Sequence, residues 1–189
     1  MKFHINLLEE YRPHLLTGLV SQGVEMLIEQ IEHRWLAAFE RTFALCKVQP
    51  NEVVALLTES QSRRVNVDLA RLALQQMGAK VFEVCLPTPA LSAPAPIRST
   101  GATDVIQHLA PVVAALQRAH LIIDCTVEGM LHAPELPAIL KGADGVVPRS
   151  FMISNEHPEI LERTVPDPAL EAVVRHAMKK LRGAQHLHV

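Results

Sequence analysis

The stretch AHLIIDCTVEGMLHAP, residues 119–134, decides how the rest of the chain reads. Leu121, Ile122 and Ile123 are consecutive apolar residues, two of them β-branched. The run is too short for a helix and reads as a strand buried on both faces. Asp124 marks its carboxyl end. In an open parallel α/β sheet, ligands collect beyond the carboxyl ends of the strands, so residues 125–132 are where function is to be sought first. His132 is the residue there that needs explaining, because a lone loop histidine is more often a hydrogen-bonded structural or solvated group than a proton-transfer group.

Working outward toward the amino terminus, KVQPNEVVALLTES (47–60) combines a turn at Pro50-Asn51 with a buried strand over 53–57. Val65, Leu69, Leu72 and Ala73 then line one face of a helix over 64–77 that Gly78 ends, and KVFEVCL (80–86) supplies a second strand. Strand, helix and strand in that order form a βαβ unit with parallel strands. The loop after the first strand holds Thr58, Glu59, Ser60, Arg63 and Arg64 but neither GxGxxG nor GxxxxGK[ST], which disfavours a dinucleotide or P-loop site. Residues 87–103, PTPALSAPAPIRSTGAT, carry four prolines and read as a long loop, either a lid or a solvated excursion. A helix over 105–109 and 111–118 follows, broken at Pro111, with His108 expected as a packed, hydrogen-bonded imidazole.

Beyond the central stretch, a helix opens at Pro134 and closes at Gly142, and GVVPRSFMI (145–153) contains a strand. Pro148 cannot donate to a ladder and points to an edge or a bulge. A short helical piece over 158–163 precedes Asp167-Pro168, a cap followed by a first-turn proline. Leu170, Val173, Val174, Ala177, Met178 and Leu181 then give the cleanest helical periodicity in the chain. The fold expected is a Rossmann-like or flavodoxin-like α/β domain: four parallel strands at 53–57, 81–85, 121–124 and 146–151 with flanking helices.

Residues 1–47 are expected to form a helical extension before an α/β domain over 48–185. Residues 1–23 are broken by Pro13, Gly18 and Gly23, whereas Ile28, Ile31, Trp35, Phe39 and Phe43 lie on one face of an amphipathic helix over 24–45. That face, with the only tryptophan, is large for a terminal helix and predicts docking on another subunit or domain. At the other end HLHV (186–189) alternates as a strand does, which predicts the start of a strand leading to a further domain.

Composition narrows the classes. The chain has 189 residues, 49% hydrophobic and 20% charged, normal for a soluble globular domain. No apolar run approaches the about 20 residues that span a bilayer, and no signal peptide is evident, so a cytoplasmic protein without membrane partners is expected. A net charge of −2 without a Lys/Arg cluster argues against nucleic acid as a partner. Cys46, Cys85 and Cys125 lack CxxC spacing and are expected as small buried thiols.

The stretches AKVFEVCLP (79–87), AHLIIDC (119–125), MLHAPE (130–135), AILKGA (138–143) and HLHV (186–189) together resemble the amino-terminal half of the 2,5-dihydroxypyridine 5,6-dioxygenase family. The wider relationship is similar to the aminopeptidase T group of metallopeptidases. The resemblance implies an Fe(II)-dependent, extradiol-type ring-cleaving enzyme of nicotinate degradation acting on a small hydroxylated aromatic and O2, with a homo-oligomeric assembly. It implies that the iron ligands, a histidine, a serine and an aspartate, belong to the carboxyl-terminal half, so no metal is expected on this chain. It further implies that His132 and His188 are catalytic and that Leu131 packs on the substrate ring. Ring cleavage needs a base for a hydroxyl proton, a task imidazole suits. The alternatives are the amino-terminal half of an aminopeptidase T-like metallopeptidase, or a stand-alone α/β binding module in which His132 is structural.

Overall fold

A computed structural model describes residues 30–90, 101–184 and 186, and the elements below all belong to one compact unit, Ile31–Val189. Four strands, β1 (Val53–Glu59), β2 (Lys80–Leu86), β3 (Leu121–Asp124) and β4 (Arg149–Met152), form one parallel sheet in the order β2-β1-β3-β4. This begins the flavodoxin-like order, and the expected α/β fold is the one observed. The flanking helices are α1 (His33–Leu45), α2 (Arg64–Gln76), α3 (Ala110–Leu116), α4 (Leu136–Lys141), α5 (Pro158–Thr164) and α6 (Leu170–Arg182).

Alternation along the central strands divides the core into two layers. Val54 and Leu56 of β1 and Leu121 and Ile123 of β3 pack with Phe39 and Phe43 of α1 and Leu69 and Leu74 of α2. Ala55 and Leu57, with Ile122, face Ile106, Leu116 of α3 and Ile139 of α4. Because both faces are covered, β1 and β3 have to be apolar almost throughout, which is why LIID needs no polar alternation.

Several boundaries differ from the sequence reading for identifiable reasons. β4 begins at Arg149 rather than 146, since Pro148 has no N–H and Val146 is engaged in an antiparallel bridge with Ala143. Among the described residues it is an edge strand, where proline is tolerated beside a ladder. Residues 105–108 form a turn, and helix begins only at Ala110, with Pro111 in its first turn. His108 sits in that turn at φ 59 and is exposed, not the packed imidazole expected. Cys125 is buried and Cys46 half-buried, but Cys85 is exposed because β2 is the other edge strand.

The expectation that the Trp35 face of α1 serves another subunit or domain is corrected. Trp35, Phe39 and Phe43 are buried in their own domain, and Trp35 meets His157 edge-on at 4.9 Å. Arg149 ties the end of α1 to the sheet, donating to the Cys46 carbonyl at 2.6 Å and to both Glu52 carboxylate oxygens. Of the face read from the sequence, Trp35, Phe39 and Phe43 are thus covered by the chain's own core, Ile31 is 43% exposed, and Ile28 lies outside the described residues. The expectations for residues 1–29, for the lid over 91–100 and for the terminal strand with His188 fall outside the described residues.

Candidate functional site

Strand order reverses between β1 and β3: the chain leaves β1 toward β2 on one side and returns through α3 to β3 on the other. At such a switch point the loops following the two strands diverge and leave a crevice at the carboxyl edge. Each of the two strands ends in a buried carboxylate, Glu59 on β1 and Asp124 on β3. Both are aimed at the loop of residues 125–132.

Asp124 is fully buried. Its Oδ1 accepts the Thr126 N–H at 3.0 Å and the Thr126 hydroxyl at 2.7 Å, while Oδ2 accepts the Met130 N–H at 2.6 Å. The Thr126 hydroxyl oxygen in turn accepts the Gly129 N–H at 3.1 Å, and the Glu59 carboxylate accepts the Val127 N–H. Four backbone donors of a buried loop, the N–H groups of Thr126, Val127, Gly129 and Met130, are thus satisfied by side chains instead of by a ladder. Burial pushes the Asp124 carboxyl above its ordinary pKa, opposed by the hydrogen bonds from Thr126 and Met130. Burial, with the nearby Asp124 and Glu83 charges, also pushes the Cys125 thiol up, which leaves it an unreactive packing group.

A second brace comes from the segment that follows the proline-rich stretch. The Gly101 N–H donates to the Glu128 carbonyl at 2.7 Å, the Thr103 N–H donates to the Gly129 carbonyl at 2.8 Å, and the His132 N–H donates to the Gly101 carbonyl. Gly101 lies at φ 75, and a Cβ there would stand 3.0 Å from the His132 ring, so glycine lets the imidazole approach the backbone.

From this rigid loop Leu131 and His132 both project to solvent, Leu131 with 64% of its surface exposed. Leu131 forms one wall of a pocket of about 400 Å³ with Met130, Leu136, Leu140, Pro148 and Met152, to which Asp124, Arg149 and Ser150 add polar groups, a mostly apolar lining with a few polar groups of the kind small-molecule sites use. His132 lies on the Gly101 side of the loop. His188 is outside the described residues. Another pocket, of about 280 Å³, lies between the end of β4 and α5, away from the Leu131 loop.

The sequence profile of the 2,5-dihydroxypyridine 5,6-dioxygenase family (NicX) matches residues 34–189. The chain belongs to this family. The 2,5-dihydroxypyridine 5,6-dioxygenase of Pseudomonas putida KT2440 is 31% identical over 156 residues, 80% of this chain and 42% of that protein. The solved structure of 2,5-dihydroxypyridine dioxygenase from the same organism superimposes with a TM-score of 0.68 at 28% identity over 80% of this chain and 42% of its own. The chain therefore spans well under half the length of these family members.

Among the described residues no three His, Cys, Asp or Glu side chains converge as metal ligands. Both Asp124 oxygens and one oxygen of the Glu59 carboxylate receive backbone or hydroxyl donors of the loop. No helix among the described residues is long and apolar enough to cross a membrane. Glu59, Asp124 and Gly101 are the site residues that reading the sequence did not single out. An acidic residue closing an all-apolar strand was the one visible signal for Asp124.

Proposed function

We propose that this chain supplies the substrate-facing half of an Fe(II)-dependent, ring-opening dioxygenase acting on 2,5-dihydroxypyridine or a closely related hydroxylated aromatic. The observation that carries the reading is the family match over residues 34–189 together with a rigid loop at the sheet's carboxyl edge that projects Leu131 and His132 into solvent. In this reading the metal is held by residues outside those described, and O2 is the second substrate.

The work of this half is recognition and proton handling. Leu131 and the apolar pocket beside it take one face of the aromatic ring and exclude water from it. His132 accepts the proton of a ring hydroxyl, which raises the electron density of the ring before oxygen attack. His188 is a second acid–base group in the same proposal. General-base assistance of this kind contributes about 10²- to 10⁴-fold.

The test is turnover by the full-length, iron-loaded enzyme that contains this chain. His132→Ala should keep the thermal midpoint and bound iron yet lose about 10²- to 10⁴-fold in kcat, and His132→Gln should not rescue it, because an amide does not take a proton near neutral pH. Oxygen uptake with 2,5-dihydroxypyridine, measured beside iron content, reads this out. Unchanged specific activity in the folded fraction would make His132 structural and overturn its role.

A further inference from the structure

The loop that carries Leu131 and His132 has no regular secondary structure, yet its N–H groups at Thr126, Val127, Gly129 and Met130 all donate to side chains. The geometry points to Asp124 as the positioning residue for that pair: its buried carboxylate closes residues 124–130 into a ring and sets the direction in which Leu131 and His132 leave it. The inference rests on the proposed dioxygenase reading for its functional meaning, but its structural content stands separately.

Two observations carry it. Oδ1 and Oδ2 of one carboxylate bind opposite ends of the same loop, Thr126 at the start and Met130 at the finish, at 2.6 to 3.0 Å. Met130 immediately precedes Leu131, so the last constrained N–H before the functional pair is the one on Oδ2. The Thr126 hydroxyl extends the clamp by donating to Oδ1 and accepting from Gly129. Asp124 itself is the last residue of β3, paired with Leu57 of β1 and Met152 of β4, so it transmits the rigidity of the two neighbouring strands to the loop.

The chemistry of the position supports the same conclusion. Burial disfavours the charged form of this carboxyl, so an apolar residue would suit the layer of Ala55, Leu57 and Ile122 better if packing were the only demand. What an apolar residue cannot do is accept three donors in a fixed geometry. Neither can asparagine, whose amide offers one acceptor atom and turns a donor toward the Met130 N–H. The carboxylate is therefore the only side chain of this size that satisfies both ends of the loop at once.

The experiment compares the 189-residue chain with Asp124→Asn and Thr126→Val by NMR, following amide exchange, the Leu131 methyl signals and the His132 ring signals. Asp124→Asn should speed exchange at Thr126 and Met130 about tenfold or more, leave the Ile122 and Ile123 amides unchanged, and shift both the Leu131 and His132 signals. A lower thermal midpoint with the Leu131 and His132 signals unmoved would overturn the inference, because Asp124 would then be a stabilising residue alone. If Asp124→Asn does not fold, Thr126→Val decides: it keeps the carboxylate and removes the hydroxyl relay, and should speed exchange at Gly129 and shift the His132 ring signals. Unchanged signals there would equally overturn it. In the full-length enzyme Asp124→Asn should lower kcat/KM for 2,5-dihydroxypyridine at least tenfold. Should the wild-type enzyme itself show no such activity, the dioxygenase reading fails while the NMR result still judges the clamp.

Discussion

The loop of residues 125–132 and helix α6 invert the usual relation between sequence pattern and burial. The α6 sequence has the most regular apolar periodicity in the chain, yet none of its residues is buried: Leu170, Val173, Val174, Met178 and Leu181 are all about half exposed or more. Residues 125–132 have no periodicity, yet Cys125, Thr126, Val127, Gly129 and Met130 are buried: the Cys125 N–H donates to the Leu57 carbonyl, and the other four N–H groups are tied to Asp124, Thr126 and Glu59. A helix needs only its own backbone to satisfy its hydrogen bonds, so it can form with its apolar face uncovered. A buried loop needs partners supplied from elsewhere in the fold. Local regularity and burial are therefore separate quantities in this molecule.

Three substitutions test that separation, the first at the sheet on which the loop is built. Leu56 lies in the centre of β1 and is completely buried, so Leu56→Ala should cost about 2–5 kcal/mol in chemical denaturation through lost burial and the cavity left behind. A cost well below 1 kcal/mol would mean that the two-layer core is looser than its packing implies.

The loop comes next. Gly129 lies at φ 80, and a Cβ there would overlap the Met152 sulfur, so Gly129→Ala should cost about 1–3 kcal/mol and disturb the Met130 amide more than any core amide. If the substitution were neutral in the melting temperature and in the Met130 exchange rate, the loop would be less constrained than the comparison requires.

The smallest effect belongs to α6. Leu181 is 53% exposed, and Leu181→Ala should change stability by no more than about 0.5 kcal/mol, since alanine also has the better helix propensity. Urea midpoints for Leu56→Ala and Leu181→Ala measured side by side put a number on the contrast. A loss at Leu181 comparable to that at Leu56 would show that α6 is covered in solution.

Much of the fold was readable from composition along the chain. Runs such as VVALL and LIID are too short and too apolar for anything but strands of a doubly covered sheet, and the Val65, Leu69, Ala73 spacing leaves α2 little choice. The proline at 148 pointed to an edge or a bulge and stands just before β4, an edge strand among the described residues, whereas the cap expected at Asp167 is displaced: Asp167 accepts the Ala169 N–H at 2.9 Å, but α6 begins only at Leu170, with Ala169 in the cap position. The apolar stripe of α1 was also legible, but its destination was not: periodicity names the face to be covered and is silent on what covers it. Trp35 was assigned to a foreign surface for that reason, and in the structure it closes on His157 and its own core.

The candidate site shows the same division. That the loop after β3 matters, and that Leu131 and His132 stand on it, followed from the strand's carboxyl end and from the residues themselves. That Glu59, 68 positions from Val127, reaches the same loop, and that residues 101–103 brace it from the other side, could be decided only by the tertiary structure. Hydrophobic pattern is a property of neighbours along the chain, and it sets which elements form and which faces they bury. The partners of a buried polar group are set by strand order and register, which bring β1 beside β3 and leave no trace in the spacing of either.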